Sequence, residues 1–110
     1  MRVKFRGAVT FETDESLTEG LNHIQKLIEA NRQSLLTMEH IEPLGLHVTI
    51  HYTGDADNAQ LQASRIVIKT LAESAYSGYV DLWVDDGDPE RFHAKEIGYR
   101  EITIEDIANA

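Results

Sequence analysis

The chain has 110 residues, of which 42% are hydrophobic and 26% are charged, and its formal net charge at pH 7 is −9. This length and composition predict one globular domain over residues 1–110, with a single core. Cysteine is absent, which excludes disulfides, thiolate metal sites and cysteine nucleophiles. The sequence has no apolar run near the roughly 20 residues that cross a bilayer, and its amino terminus lacks the apolar core of a signal peptide. We therefore expect a cytoplasmic protein.

The negative charge is concentrated in the second half of the chain. Residues 1–54 hold five Lys or Arg against seven Asp or Glu, a net charge of −2, whereas residues 55–110 hold five against twelve, a net charge of −7. A field of this sign opposes direct binding to nucleic acid or to an anionic membrane. We therefore expect a protein partner with a basic surface, and no nucleic-acid or membrane partner.

The first predicted element is a β-strand over residues 2–12. Its apolar residues alternate with polar ones, which is the period of a strand with one buried face. Gly7 interrupts the apolar face and indicates a bulge or a close approach by another element. A helix follows this strand. Its candidate N-caps are short polar residues, namely Thr13, Asp14 and Ser16, the last with Glu19 at the spacing of a capping box.

Two interpretations remain open after Asn31. Apolar residues at alternating spacings of four and three extend the helix to about Ile41, with Pro43 as its stop. Alternatively, residues 34–41 form a strand, and a turn at residues 42–45 pairs this strand with the next one as a hairpin. We prefer the hairpin slightly, because a helix of about 27 residues is long for a domain of this size.

The middle of the chain has the pattern of a strand, a helix and a second strand. The predicted bounds are Leu46–Thr53, about Asp57–Tyr76 and Tyr79–Val84. Asp55 and Asp57 are candidate N-caps of the helix, which is apolar on more than one side and is therefore expected to be deeply packed. Gly78 is predicted to stop the helix in a left-handed conformation.

These elements predict an α+β fold. With the hairpin, the order β-α-β-β-α-β is that of a two-layer, ferredoxin-like sandwich with a C-terminal strand or tail. Residues 100–105 alternate like an edge strand with charges on its outer face. With the long first helix, the order becomes β-α-β-α-β-β. In both orders an acidic turn at residues 85–90 follows the strand that ends at Val84.

The sequence contains no motif that indicates catalysis. A nucleophile elbow, a phosphate-binding glycine loop, a dinucleotide fingerprint and a metalloprotease helix are all missing. The hairpin would place His40 opposite His47, but two imidazoles without a third ligand do not make a zinc site. The acidic turn at residues 85–90 does not match a calcium-binding EF-hand loop. We therefore predict no catalytic residue, no cofactor and no metal site, and we lean against an enzyme.

The predicted sheet also has a face that points away from the helices. Alternation assigns to it Lys4, Arg6, His47, His51, Tyr79 and Trp83, joined in the hairpin order by Leu36, Met38 and His40. Aromatic and apolar side chains on an open sheet are usually covered, by a second copy or by the end of the chain. An exposed tryptophan at position 83 would be a candidate interface anchor.

The functional prediction combines this face with the acidic turn. The candidate partner-binding residues are Asp81, Asp85, Asp86, Asp88, Glu90, Tyr79 and Trp83. They predict a small acidic protein-binding module. By analogy of size and charge with phage-type inhibitors, this module would block the basic nucleic-acid-binding surface of a partner by charge mimicry. The alternative is a small homodimeric α+β domain that binds a ligand or substrate at its sheet face.

Overall fold

The computed structural model describes residues 1–94 of the protein, which form an α+β unit with two helices and one five-stranded sheet. The elements are β1 (Arg2–Thr10), α1 (Asp14–Ala30), β2 (Ile41–Leu44), β3 (His47–Asp55), α2 (Asn58–Ser74), β4 (Ser77–Val84) and β5 (Glu90–His93). The strand order is β2-β3-β1-β4-β5, and every neighbouring pair is antiparallel. This arrangement is compatible with a two-layer sandwich.

The core lies between the helices and one face of the sheet. The alternation in β1, β3 and β4 points apolar side chains to that face, and each of those named next is at most 2% exposed. These side chains are Val3, Phe5, Val9, Val48, Ile50, Val80 and Leu82. Helix α2 contributes Val67, Ile68 and Leu71, and helix α1 contributes Ile24, all of them fully buried. The predicted core face of the strands is therefore confirmed.

Both helices begin with a reciprocal capping box. In α1, the Thr13 hydroxyl accepts a hydrogen bond from the Ser16 N–H, and the Ser16 hydroxyl accepts one from the Thr13 N–H. Thr13, one of the predicted candidates, is therefore the N-cap, and its capping box is formed with Ser16 rather than by Ser16 with Glu19. In α2, Asp57 is the N-cap as predicted, and it forms its box with Gln60. These contacts satisfy N–H groups that have no partner inside the helix.

The predicted long first helix is wrong. Helix α1 ends at Ala30, and the N–H of Asn31 bonds back to the carbonyls of Leu27 and Ile28. The Asn31 side-chain amide also donates to the Leu27 carbonyl, at 2.9 Å. The chain then leaves the helical path through a loop. The apolar residues that follow are accordingly not one continuous stripe.

Residues 34–41, predicted as a strand, are a loop followed by a one-turn 3₁₀ helix at Met38–His40. The Leu35 N–H donates to the hydroxyl of Ser64, a buried residue of α2, at 2.9 Å. Leu36 is fully buried in the core, which corrects its placement on the outer sheet face. The apolar spacing here reflects a loop that packs onto the core, because burial does not require a strand.

A hairpin is present, but its first strand is β2 (Ile41–Leu44) and not the predicted residues 34–41, and its turn is later than predicted. Leu44 pairs with His47 across a two-residue turn of Gly45 and Leu46, rather than across residues 42–45. Gly45 has a φ of +61°, as the first position of a type II′ turn requires. Pro43 is at a position of β2 that does not hydrogen-bond to β3, between two positions that do. Its ring, which has no N–H, therefore lies on the outer edge of the sheet.

The prediction that Gly78 stops helix α2 is wrong. The helix ends at Ser74, and its C-cap Ala75 has an extended conformation. Gly78 lies inside β4 with a φ of +100°. A Cβ at that position would overlap the backbone of Ala8 and Val9 on β1. The prediction for Gly7 is confirmed in the same way, since a Cβ there would overlap the backbone of β4.

Strand β5 was not predicted, and it forms a hairpin with β4 through the acidic turn. The predicted edge strand at residues 100–105 lies outside the described residues. Within residues 1–94, no helix is long and apolar enough to cross a membrane.

Candidate partner-binding site

We call the sheet surface that points away from the helices the open face. Register places Arg6 of β1 between His51 of β3 and Asp81 of β4, and it places Lys4 next to Trp83. Its prominent side chains are Lys4, Arg6, His47, His51, Tyr79, Asp81, Trp83, Arg91 and His93. Six of these were assigned to this face from the sequence. The open face is therefore rich in charge, in contrast to the core face.

The acid at position 81 is not available to a partner. Asp81 is 7% exposed, and both of its carboxylate oxygens accept hydrogen bonds from Arg91, at 2.8 and 3.0 Å. The guanidinium of Arg91 in turn lies 3.7 Å from the centroid of the Tyr79 ring. The hydrogen bonds to Asp81 raise the pKa of Arg91 above its ordinary value. These three residues form one internally satisfied cluster.

Asp85 also has a structural role. Its N–H donates to the carbonyl of Arg2 at 2.7 Å, and its carboxylate accepts from the N–H of Arg2 at 2.9 Å. Asp85 has a φ of +53°, a left-handed conformation that aspartate tolerates better than most residues. It therefore fastens the start of β1 to the end of β4 and turns the chain into the acidic turn.

The remaining acids of the turn face an open cleft. This cleft of about 540 Å³ is lined by Arg2, Lys4 and Trp83 on the sheet side, and by Asp86 and Asp88 on the turn side, among others. Both aspartates are exposed, and within residues 1–94 neither carboxylate has a hydrogen bond or ion pair. Trp83 is partly exposed, with the Lys4 ammonium 5.2 Å from its ring centroid.

Glu90 lies apart from the other candidate residues. It is on the helix side of β5, where its carboxylate forms an ion pair with Arg65 of α2. The seven candidate residues therefore divide into three groups. Trp83, Asp86 and Asp88 share the cleft, with Asp85 holding the turn behind them. Tyr79 and Asp81 are engaged by Arg91, and Glu90 is engaged on the opposite side of the sheet.

The histidine pair considered in the sequence does not form. His47 is paired with Leu44, and its ring is hydrogen-bonded to the hydroxyl of Thr10 at 2.8 Å. His40 lies in the 3₁₀ turn, with its ring edge-on to Tyr52 at 5.1 Å between centroids. Met38 also packs against the core rather than joining the open face. Among residues 1–94, no three His, Asp or Glu side chains are close enough together to hold a metal ion.

Sequence reasoning missed the cationic partners of this surface. Arg91 was not assigned to any element, because Glu90–His93 has no apolar alternation that would signal a strand. Lys4 was placed on the open face, but its position over Trp83 depends on the register of β1 and β4. Neither pairing is local in sequence.

Comparisons of the chain with known protein families, with curated proteins and with solved structures found no significant match. Any functional role is therefore inferred from the residues themselves.

Proposed function

We propose that this protein is a small protein-binding module that engages a basic surface of its partner through the cleft between Trp83 and the acidic turn. In this role it acts as an inhibitor of the phage type, which covers a nucleic-acid-binding surface of the partner by charge mimicry. The binding residues are Trp83, Asp86 and Asp88. Asp85 holds the turn in place.

One observation supports this proposal most strongly. Two exposed carboxylates, those of Asp86 and Asp88, have no partner within residues 1–94 and line the same cleft as the only tryptophan of the chain. A partly exposed aromatic side chain surrounded by polar groups is the usual arrangement of an interface anchor with its rim. Carboxylates at the rim accelerate association with a basic partner and discriminate against an acidic one.

The overall charge supports the same kind of partner. A net charge of −9 repels phosphate backbones and attracts the proteins that bind them. Two cations, Arg2 and Lys4, line the cleft together with the aspartates, and the Lys4 ammonium lies over the Trp83 ring as a cation–π contact.

The alternative function, a homodimer through the open face, has weaker support. Stable homodimer interfaces are more apolar than the general surface. The centre of the open face instead carries Arg6 and the Asp81–Arg91 ion pair. Tyr79 is 41% exposed, but one of its ring faces is occupied by Arg91. If Trp83→Ala lowered the native mass of the protein, the homodimer would become the better explanation.

The fold within this proposal is ferredoxin-like, with β5 as an addition to the sheet. The element order β-α-β-β-α-β of the first six regular elements supports this assignment. The positions of β1 and β3 in the middle of the sheet, with β4 and β2 beside them, support it as well.

The test is a comparison of two charge-reversal variants with the same change in net charge. Asp86→Lys/Asp88→Lys alters the cleft, and Glu19→Lys/Glu29→Lys alters two exposed positions on α1. Proteins captured from a bacterial lysate by the native chain are quantified by mass spectrometry against both variants. We expect at least one nucleic-acid-handling protein to be lost by the cleft variant and kept by the helix variant.

The captured partner is then purified and its affinity is measured at rising salt concentration. We expect the cleft variant to bind about tenfold more weakly at low salt, with a smaller difference at high salt, since exposed charges are screened. Trp83→Ala should cost about 2 kcal/mol or more at any salt concentration. Equal losses in the two charge variants would show that only net charge matters, and the proposed cleft would be rejected.

A further inference from the structure

The outer edge of β5 carries backbone groups that have no partner within residues 1–94. The N–H of Ala94 donates to the carbonyl of Gly78 at 3.1 Å, and in an antiparallel pair hydrogen-bonded positions alternate. Phe92 and Glu90 therefore bond to β4, while Arg91 and His93 direct their N–H and C=O groups away from the sheet. The edge thus offers two donors and two acceptors in the spacing of an extended strand.

A groove runs beside this edge, between β5 and helix α2. Two adjoining cavities of about 260 and 230 Å³ share Arg65, Lys69 and Phe92 in their walls. Phe92 is partly exposed here, and Ile66 of α2, at 48% exposure, is one of the most exposed large apolar side chains of the described chain. The groove therefore provides an apolar floor next to a row of backbone groups that have no partner within residues 1–94.

The charges of the groove differ from those of the chain as a whole. Arg65 is paired with Glu90, whereas the ammonium of Lys69 has no carboxylate within ion-pair distance among residues 1–94. His93 lies on the other side of the edge, on the open face. Among residues 1–94, a ligand here meets one cation without an ion pair, that of Lys69, and one carboxylate without an ion pair, that of Glu73, one helical turn further along α2.

We infer that the outer edge of β5 binds an extended peptide segment of a partner protein, which adds to the sheet as a sixth strand. Only an extended backbone matches the outward groups of Arg91 and His93, and recognition by strand addition uses such edges. Side chains of an added strand alternate between the two faces of the sheet. Those on the helix side enter the groove over Phe92 and Ile66. The preferred peptide accordingly carries an apolar residue there, a carboxylate within reach of Lys69, and no proline.

This site is separate from the cleft at Trp83, and it selects the opposite charge. The cleft recognises basic groups through Asp86 and Asp88, whereas the β5 edge recognises an apolar and acidic segment through main-chain bonds. The two proposals therefore fail independently. Asp86→Lys/Asp88→Lys is expected to leave peptide binding at the β5 edge unchanged.

The first measurement is amide hydrogen exchange of the full chain by NMR. The outward N–H groups of Arg91 and His93 are expected to exchange at least tenfold faster than the inward N–H of Phe92. Protection of all three amides would show that the edge is already covered. Protection that is lost on dilution would assign the cover to a second copy, and protection that persists would assign it to this chain itself. Either result would overturn the proposal.

The second measurement uses a random twelve-residue peptide library displayed on phage and selected against the full chain. Enriched peptides are synthesised and their affinities are measured by fluorescence anisotropy. His93→Pro removes one outward N–H at an edge position where proline is tolerated, and it should weaken binding at least tenfold. His93→Ala removes the same imidazole but keeps the N–H, so it should bind like the native chain.

A matched pair of variants tests the predicted preference for a carboxylate in the peptide. Lys69→Glu should weaken binding several-fold because it reverses the cation beside the groove, whereas Lys26→Glu, at an exposed position of α1, should have little effect. Circular dichroism confirms that each variant is folded. Failure to enrich any peptide, enrichment of basic peptides, or equal binding by His93→Pro and His93→Ala would overturn the proposal.

Discussion

The two faces of the sheet are made by alternate residues of the same strands, and they differ completely in chemistry. In the central strand β1, Phe5 is fully buried, whereas its neighbour Arg6 is exposed on the open face. The core face is stabilised by apolar packing, which does not depend on one specific partner residue. The open face is held by specific pairs such as Asp81 with Arg91.

This difference separates stability from recognition within a few residues. Substitutions on the core face are expected to act on the free energy of unfolding, because they remove burial. Substitutions at exposed positions of the open face are expected to act on binding alone, because exposed side chains away from special contacts contribute little to stability. Three pairs of variants test how strictly this separation holds.

The largest effect is expected from Phe5→Ala compared with Arg6→Ala. Removal of a fully buried phenylalanine leaves a cavity in the centre of the sheet and should lower the free energy of unfolding by about 3–5 kcal/mol. Arg6 has no ion pair within residues 1–94, so its removal should change the same quantity by less than about 0.5 kcal/mol. Urea denaturation measures both. A large loss in Arg6→Ala would break the comparison.

An intermediate effect is expected from Gly78→Ala compared with Gly45→Ala. Both glycines have positive φ, but only Gly78 has the backbone of β1 in the space that a Cβ would occupy. Gly45→Ala should cost about 1 kcal/mol from backbone strain alone. Gly78→Ala should cost at least about 2 kcal/mol, because overlap with a neighbouring strand adds to the strain. Thermal unfolding of the two variants distinguishes them, and equal losses would mean that β1 and β4 separate easily at this point.

The smallest effect is expected at the buried part of the open face, where Asp81 pairs with Arg91. Arg91→Met leaves the carboxylate of Asp81, at 7% exposure, without its two hydrogen bonds. Since half of the Arg91 side chain is in solvent, the loss of stability should be smaller than that of Gly78→Ala. Arg65→Met breaks the more exposed pair with Glu90 and should cost less than about 1 kcal/mol. Chemical denaturation of both variants, with Asp81→Asn to complete a double-mutant cycle, sharpens the comparison. The reverse order of losses would contradict it.

Local patterns made much of the fold predictable. Strands β1, β3 and β4 were found because alternation is a property of each strand alone. The N-cap Asp57 was found because a cap is read within four residues. The core face of the sheet follows from the same alternation, and so do the open-face positions of Tyr79 and Trp83.

Contacts distant in sequence explain what could not be predicted. Strand β5 lacks an apolar alternation and exists because it pairs with β4. Gly78 looked like a helix stop, but its conformation is fixed by the approach of β1, more than sixty residues earlier in the chain. The burial of Asp81 likewise depends on the register that places Arg91 opposite to it. The candidate site could therefore be predicted only in part, because these long-range contacts determine which of its acids form ion pairs and which do not.

The proline on the outer edge of β2 has a consequence for self-association. Growth of a sheet from copy to copy into a filament requires an accessible edge on both sides of each copy. At Pro43 one of the two edges within residues 1–94 lacks a donor, so a neighbour cannot complete its ladder there. If two copies met edge to edge, they would pair through β5 of each and close as a twofold dimer. Pro43 thereby acts against the growth of this sheet into fibres.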